Sequence, residues 1–272
     1  MTQVRHNVSP AASIGSNRKN IKSHVALTAY PDRMIPVSTA PTMAATPRIS
    51  VVLMAFNEAA SLAAVTTEIH GELARVGIGY ELLIINDGSS DGTGKIADAM
   101  AAALPGVRVR HHDTNLGLGA VYRTGFAQAR GDLVTFFPAD GQFSASIIGR
   151  YLAAIDDVDI ILGTLPERGG PVTGRLLSLA ERMLLRMLFG RFPRFQGILM
   201  FRRTLLDGAR LVSKGRGWTV LMEFILRQAR AGARIKNIPI TIRPRTGGGS
   251  KVNNLRSVVS NLRQVLALRL YL

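Results

Sequence analysis

The fold is decided by a mostly apolar run that ends in polar residues, ISVVLMAFNE at positions 49–58. Residues 49–54 have the length and composition of a buried strand. Asn57 is a polar residue suited to cap a helix, and the helical pattern that follows continues to about Val76. The run therefore predicts a strand followed by a helix, with polar residues at the carboxyl end of the strand.

The same strand–helix unit recurs along the chain. Further strands are predicted at 81–85, 107–109 and 132–137, with helices beginning at about Thr93 and Leu118. This alternation predicts an α/β fold, with a mostly parallel central sheet flanked by helices on both faces. In such sheets, ligands bind outside the carboxyl ends of the strands.

Polar loops follow four of the predicted strands. They are Asn57-Glu58, residues 86–92, residues 115–119 and Asp140-Gly141-Gln142. Each loop alone is also explained as ordinary turn chemistry, since Asn, Asp, Gly and Ser are what strand-to-helix connections require. Four such loops at one edge of a sheet favour a binding site.

The fourth loop contains a candidate metal site. Asp140 and Gln142 are two residues apart beyond an apolar strand, so both can offer an oxygen to one hard cation such as Mg²⁺ or Mn²⁺. Such an ion neutralises the charge that develops on a diphosphate leaving group. The alternative is a plain Asp-Gly turn.

The first two loops contain candidate nucleotide-binding carboxylates. Glu58 and Asp87 are placed to accept hydrogen bonds from the base and ribose of a nucleotide. Their structural alternatives are helix capping for Glu58 and an Asx-turn for Asp87. Asp91 is interpreted as a helix cap, because a helical pattern begins directly after it at residues 92–93.

Composition excludes several classes of protein. With 272 residues and 47% hydrophobic content, the chain can bury a core, which argues against a disordered or fibrous protein. The absence of cysteine excludes a disulfide framework, a thiolate zinc site and a thiol nucleophile. Residues 1–47 are rich in Ser, Thr, Ala and Pro without periodicity or a signal-type apolar core, and are predicted to be a disordered extension.

Positive charge is concentrated in the last two-fifths of the chain. Residues 168–272 carry 21 basic and 3 acidic side chains, net +18, whereas residues 1–167 are close to neutral. Such a block attracts nucleic acid, anionic lipid or a phosphorylated substrate. Aromatic residues make up only 6% of the chain and do not alternate with the basic residues, so nucleic acid is the least favoured partner.

Two amphipathic segments, 173–189 and 252–272, fall in this basic part. Arginines interrupt both before they reach the roughly 20 apolar residues of a membrane span, so we expect no integral membrane protein. In the first segment Arg175, Arg182 and Arg186 share one face beside an apolar stripe, which is typical of a helix lying on an anionic membrane surface. The alternative is that each helix packs its stripe on the protein's own core.

Several strings resemble a known family. Those at 52–58, 86–93 and 139–142 resemble the signature loops of glycosyltransferase family 2, in its order and spacing. GRGW at 215–218 and the segment 238–251 resemble its dolichyl- or polyprenyl-phosphate branch, which is dolichol-phosphate mannosyltransferase-like. The resemblance covers about residues 48–251.

The resemblance implies a nucleotide-diphospho-sugar transferase fold of the A type, with a catalytic domain at 48–251 and a C-terminal amphipathic helix at 252–272. It implies an inverting enzyme that moves a sugar from a UDP- or GDP-sugar to polyprenyl or dolichyl phosphate with Mg²⁺ or Mn²⁺. We expect a cytoplasmic protein bound peripherally to the inner face of the cell membrane. A membrane protein that supplies spanning helices is a candidate partner.

The resemblance also implies which residues act. Arg245, Ser250 and Lys251 are implied to form a basic loop that closes over the donor diphosphate and the acceptor phosphate; a flexible surface turn is the alternative. The implied catalytic residues are Asp140, Arg245 and Lys251. The implied substrate-binding residues are Phe56, Glu58, Asp87, Ser89, Asp140, Arg175, Arg245, Ser250 and Lys251. The implied metal ligands are Asp140 and Gln142.

The chain departs from the family pattern at two acidic positions. Pro138 occupies the first acidic place of the metal motif, and Asn86 replaces the first acid of an Asp-Asp pair. A catalytically weakened nucleotide-sugar-binding module is therefore one alternative. Another is transfer to a hydroxyl of a cell-envelope polysaccharide, for which a base is required and Glu223 is the candidate. A lipid phosphate needs no base, because it is already ionised and attacks directly.

Overall fold

The computed structural model describes residues 46–165, 179, 183–190, 193, 195, 198–244 and 263–270. The strands are β1 (Ile49–Ala55), β2 (Tyr80–Asp87), β3 (Val107–His112), β4 (Leu133–Pro138), β5 (Ile160–Thr164), β6 (Leu199–Arg202) and β7 (Ile235–Pro239). The helices are α1 (Leu62–Val76), α2 (Thr93–Ala103), α3 (Leu118–Gln128), α4 (Ser146–Leu152), α5 (183–189), α6 (Thr219–Arg230) and α7 (263–270). A 3₁₀ turn, Arg203–Leu206, follows β6.

The seven strands form one sheet in the order β3-β2-β1-β4-β6-β5-β7. The pairs β1–β2, β1–β4, β2–β3 and β5–β7 are parallel, and β6 runs antiparallel to its neighbours β4 and β5. The prediction of a mostly parallel sheet is confirmed. The carboxyl ends of β1, β2, β3 and β4 consequently meet at one edge.

Helices cover both faces of the sheet. Alternate residues of β1 point to opposite faces, and both Leu53 and Val52 are fully buried, one in each core. Helices α1, α2 and α4 pack on the Leu53 face, and α3 and α6 pack on the Val52 face. Burial on both sides explains why β1 and β2 have nearly continuous apolar sequences.

The start of α1 corrects one sequence expectation. The helix begins at Leu62, so the prediction of a helix capped at Asn57 was wrong. Asn57 adopts a left-handed conformation, with φ of 52°, and the N–H groups of Ser61 and Leu62 both donate to the carbonyl of Glu58. A tight turn therefore separates the strand from the helix, and it places Asn57 and Glu58 at the edge of the sheet.

Helices α5 and α7 pack against α6. Phe189 of α5 and Val265 and Leu268 of α7 form a small core with Met222 and Leu226 of α6. No helix in the part of the chain that the structure describes is long and apolar enough to cross a bilayer. The predicted disordered extension lies outside the described residues except for its last two positions, and the boundary proposed at 251/252 lies outside them as well.

Candidate active site at the carboxyl edge of the sheet

The loops after β1 and β2 are joined by reciprocal hydrogen bonds. The N–H of Asn57 donates to Ser89 Oγ at 2.9 Å, and the N–H of Ser90 donates to Asn57 Oδ1 at 2.9 Å. One residue further on, the N–H of Glu58 donates to Thr93 Oγ1 at 2.9 Å. Each loop thus satisfies the backbone of the other, so the two strand ends form one ordered rim.

Asp91 adds a third connection between these loops. Its carboxylate accepts hydrogen bonds from the N–H and hydroxyl of Thr93 and from the N–H of Ala59 at 3.1 Å. Loss of hydration raises the pKa of Asp91, but these bonds to the ionised form outweigh it and leave the pKa below its ordinary value. Asp91 therefore bonds the first residue of α2, but the N-cap of the helix is Gly92, so the interpretation of Asp91 as the cap was one residue off.

Three predicted substrate-binding residues lie together on this rim. Phe56, Glu58 and Ser89 are all half-buried. The hydroxyl of Ser61 donates to Glu58 Oε2 at 3.2 Å, which fixes the carboxylate beside the turn. These three residues therefore lie on two hydrogen-bonded loops at the edge where a donor nucleotide is expected.

Asp87 is buried below the rim. His112 Nδ1 lies 2.7 Å from Asp87 Oδ1, and the N–H of Leu116 donates to the same oxygen at 3.0 Å. Asp87 Oδ2 accepts from Asn115 Nδ2 at 3.0 Å and from the N–H of Gly117 at 2.8 Å. Both oxygens thus shape the 115–117 loop, and a direct contact between Asp87 and a nucleotide stays a prediction.

His112 is a residue of the candidate site that the sequence reasoning missed. Its Nε2 lies 2.9 Å from Thr124 Oγ1 of α3. Because Asp87 accepts only, the network favours the tautomer in which Nδ1 carries the proton and Nε2 accepts from the threonine hydroxyl. The sequence indicates the position of His112 only weakly, because β3 is predicted to end at Val109. A histidine three residues beyond that end is expected to lie in a loop.

The 215–217 loop packs closely on the 115–119 loop. Arg216 Nη2 donates to the carbonyl and to Oδ1 of Asn115, both at 2.7 Å, and the N–H of Gly119 donates to the carbonyl of Arg216 at 2.9 Å. A Cβ at Gly117 would lie 2.7 Å from the Arg216 carbonyl oxygen, and one at Gly119 would collide with the carbonyl of Gly215. Glycine at 117 and 119 is therefore required for this approach.

Asp140 and Gln142 lie beyond β4, as predicted. Asp140 is buried, and its Oδ1 accepts a hydrogen bond from the N–H of Gln142 at 3.1 Å. The N–H of Arg243 donates to the Gln142 carbonyl at 2.7 Å, which anchors this loop to the segment after β7. Arg243 also forms an ion pair with Glu68 of α1 at 3.0 Å.

The metal-binding capacity of this loop is limited. Among the residues that the structure describes, no three or more Asp, Glu, His or Cys side chains are grouped to hold an ion. Asp140 and Gln142 offer one carboxylate and one amide oxygen. This pair fits a Mg²⁺ or Mn²⁺ ion whose remaining ligands are substrate phosphates and water, which is the usual situation for Mg²⁺.

Glu223 does not have the position of a catalytic base. It is fully buried in α6 and accepts hydrogen bonds from the N–H of Val212 at 3.0 Å and the N–H of Ser213 at 2.8 Å. Arg227 Nε donates to it at 2.8 Å. The hypothesis of Glu223 as the base for a hydroxyl acceptor is therefore wrong; the residue fixes the loop that leads to Arg216.

Four predicted site residues lie outside the described part of the chain. They are Arg175, Arg245, Ser250 and Lys251. Their roles stay predictions.

Comparison with known proteins agrees with this architecture. The sequence model described as Glycosyl transferase family 2 matches residues 50–208. An undecaprenyl-phosphate mannosyltransferase of Micrococcus luteus is 32% identical over 76% of this chain and 88% of its own length. A polyprenol monophosphomannose synthase of Mycolicibacterium smegmatis is 29% identical over 83% of this chain and 86% of its own length.

A solved structure shows the same fold. Glucosyl-3-phosphoglycerate synthase of Mycobacterium tuberculosis, crystallised with Mn²⁺, UDP and glucosyl-3-phosphoglycerate, superposes with a TM-score of 0.62. It is 23% identical, and the match covers 83% of this chain and 79% of that one. The central sheet, its helices and the rim of loops are thus those of the nucleotide-diphospho-sugar transferase A-type fold, and the chain is a glycosyltransferase that belongs to glycosyl transferase family 2.

Proposed function

We propose that this glycosyltransferase moves a sugar from a UDP- or GDP-sugar to a polyprenyl phosphate at a membrane surface, with inversion at the anomeric carbon. The observation that carries the proposal is the rim at the carboxyl edge, where the hydrogen-bonded loops after β1 and β2 lie on the same edge as Asp140. Two relatives that match the chain over most of its length are named undecaprenyl-phosphate mannosyltransferase and polyprenol monophosphomannose synthase, which supports this acceptor class.

The donor is proposed to bind along this rim. Glu58 and Ser89, together with the ring of Phe56, form the nucleoside side of the site. Asp87 is predicted to contact the nucleotide, and its oxygens also hold the 115–117 loop in place. Asp140 and Gln142 would hold Mg²⁺ or Mn²⁺, which neutralises negative charge on the leaving diphosphate when it is bound.

The acceptor phosphate is proposed to be the nucleophile. One of its oxygens attacks the anomeric carbon from the side opposite the diphosphate, the bond from that carbon to the diphosphate oxygen breaks, and the configuration inverts. The acceptor oxygen is already ionised near neutral pH, so no proton has to be removed. The burial of Glu223 suits this reaction better than transfer to a hydroxyl, which requires a base. Arg245 and Lys251 are proposed to offset the charge of the two phosphates.

The acceptor is proposed to be reached from the membrane surface. Met183 and Met187 of α5 and Leu266 and Leu270 of α7 are exposed, although they belong to helices whose other faces pack on α6. Exposed arginines accompany them at Arg186, Arg263 and Arg269. Apolar side chains beside arginines suit helices that lie among anionic headgroups. We therefore propose a peripheral location on the inner face of the cell membrane, with a spanning partner protein as a further candidate.

The testing experiment measures release of nucleoside diphosphate from a panel of UDP- and GDP-sugars, with polyprenyl phosphate in detergent and with or without Mn²⁺ or Mg²⁺. We expect release that requires both the lipid and the ion. The Asp140→Asn variant should lose most of it, whereas Glu223→Gln, if folded, should retain it. Release stimulated by a polysaccharide but not by the lipid would favour the hydroxyl acceptor, and donor binding without release would favour a binding module.

A further inference from the structure

Asn86, which replaces the first acid of the Asp-Asp pair, is buried between β2 and α2. Its side chain is only 5% exposed, although it lies one residue before Asp87 at the end of β2. A Cβ at Gly94, near the start of α2, would lie 3.1 Å from Asn86 Nδ2. The amide is therefore under the helix, where it is not placed to ligate a metal ion or a diphosphate.

The two polar atoms of the Asn86 amide have different partners. Oδ1 accepts a hydrogen bond from the N–H of Ser89 at 3.3 Å, and Nδ2 lies 3.0 Å from His111 Nδ1. His111 Nε2 in turn lies 2.9 Å from Asp98 Oδ1 on α2. Because a carboxylate only accepts, Nε2 carries the proton and Nδ1 accepts from the amide. The histidine thus fixes the amide with its oxygen toward Ser89.

Ser89 connects these hydrogen bonds to the rim of the candidate active site. Its hydroxyl accepts from the N–H of Asn57, so the position of Ser89 affects the loops after both β1 and β2. A backbone N–H that loses its acceptor has to find another one, and the loop has to move for that. Asn86 is therefore placed to act on the rim through Ser89, from beneath the surface that faces a donor.

We propose that Asn86 is a positioning residue for the donor: it holds the Ser89 N–H in place, while His111 and Asp98 hold its amide. This role rests on the proposed function. A carboxylate at position 86 could also accept from Ser89, provided that His111 carries a proton on Nδ1. An amide and an acid are thus interchangeable here, and the departure from the family pattern at Asn86 does not indicate a weakened enzyme.

The test measures binding of UDP and GDP to the full chain by calorimetry in the presence of Mg²⁺. Asn86→Leu and His111→Leu each remove hydrogen bonds that fix Ser89, and each should weaken binding about tenfold. Asn86→Asp should bind within about threefold of the wild type. His70→Leu is the control for the histidine substitution: His70 packs on Tyr80 at the amino end of β2, and its loss should leave binding unchanged.

The position of the proton on His111 is a second readout, which a merely structural role would not change. Nitrogen NMR shifts of the imidazole report it, and the His111 resonances are identified by their absence from His111→Leu. We expect Nδ1 to be unprotonated in the wild type and protonated in Asn86→Asp. A protonated Nδ1 in the wild type would overturn the assigned arrangement.

Melting temperatures show which variants are folded, and Asn86→Asp keeps the test decisive if a leucine variant is not. A wild-type chain that binds neither nucleotide would contradict the proposed function, and this role with it. Binding that is equal in the wild type and in the folded leucine variants would overturn the positioning role alone. A gain of about tenfold or more in Asn86→Asp would also overturn it, because the acid would then be a ligand.

Discussion

The carboxylate of Asp87 and the imidazole of His112 form a buried pair: Oδ1 and Nδ1 are 2.7 Å apart, and the two side chains are only 4% and 7% exposed. The pair joins the end of β2 to the end of β3, and Thr124 extends it to α3. The loop that follows, 115–117, takes its shape from the same carboxylate. The pair therefore lies beneath the candidate donor site and supports the loop that borders it.

Replacing His112 should disturb donor binding without touching the donor. His112→Leu leaves one oxygen of buried Asp87 with fewer hydrogen bonds, which should cost about 1–3 kcal/mol in the free energy of unfolding. We expect the KM for the nucleotide-sugar to rise about tenfold, with a smaller change in kcat. His112→Asn, whose amide can replace Nδ1, should restore part of the KM. An unchanged KM in both folded variants would contradict this role.

Metal binding should depend on the nucleotide. Because Asp140 is the only carboxylate predicted to ligate the ion, we expect weak Mn²⁺ binding to the chain alone and much tighter binding once UDP or GDP supplies phosphate oxygens. Pro138→Asp should strengthen binding to the chain alone. Electron paramagnetic resonance of free Mn²⁺ measures both effects. Tight binding to wild-type chain without nucleotide, retained in Asp140→Asn, would place the ion elsewhere.

An alanine side chain at position 119 should push the 115–119 and 215–217 loops apart. In Gly119→Ala the new Cβ collides with the Gly215 carbonyl, so the 215–217 loop has to move. We expect a loss of about 1–3 kcal/mol in unfolding free energy and a higher KM for the donor. Gly71→Ala in α1 is the control, since its Cβ meets nothing within 4 Å, and it should stabilise the chain by up to about 1 kcal/mol. Equal behaviour of the two variants would refute the packing argument.

Charged substitutions on the exposed apolar face should weaken membrane binding. Met187 and Leu270 are 83% and 85% exposed, so Met187→Glu and Leu270→Glu should leave folding intact. Each should lower the affinity for anionic vesicles about tenfold, because burial of such an apolar side chain in the membrane contributes about 1.5–3 kcal/mol to the free energy of binding. Ala103→Glu on α2 adds the same charge elsewhere and should bind as wild type. Co-sedimentation with vesicles measures the effect, and equal losses in all three variants would mean that charge alone is responsible.

Asp91 should make a small, pH-dependent contribution to stability. Its folded pKa is lowered, so its contribution is fully present above the unfolded pKa of 3.8 and is lost as pH falls through the lower folded pKa. Since Asp91 is exposed, we expect Asp91→Asn to cost less than about 1 kcal/mol at neutral pH. Denaturant unfolding at neutral pH and near pH 3 compares the two chains. A difference that grows in acid would contradict the assigned direction.

The sequence predicts the first four strands and misses the last three, although β5 and β6 are also buried on both faces. β1, β2 and β4 are continuous apolar runs, whereas β7 reads Ile-Lys-Asn-Ile-Pro at the edge of the sheet and β6 has only four residues. The first four strands and the residues on the loops that follow them could be predicted from this pattern, although β3 continues to His112 instead of ending at Val109.

Contacts between residues that are far apart in the chain could not be predicted from such local patterns. Asp87 and His112 are 25 positions apart, and Asn115 and Arg216 are 101 apart. The neighbouring sequence does not distinguish a carboxylate that faces a ligand from one, such as Asp87, that accepts four hydrogen bonds beneath a loop. The burial of Glu223 could not be predicted from the sequence for the same reason. Its hydrogen-bond partners Val212 and Ser213 precede the helix in which it lies.

The close approach of Gly215 to Gly119 has a consequence for which substitutions the chain can tolerate. A side chain at Gly117 or Gly119 displaces the backbone of the 215–217 loop, and with it the Arg216 guanidinium that bonds Asn115. Two segments about a hundred positions apart in the chain thus share one steric constraint. A larger residue at position 117 or 119 is therefore expected to be tolerated only together with a compensating change in the 215–217 segment.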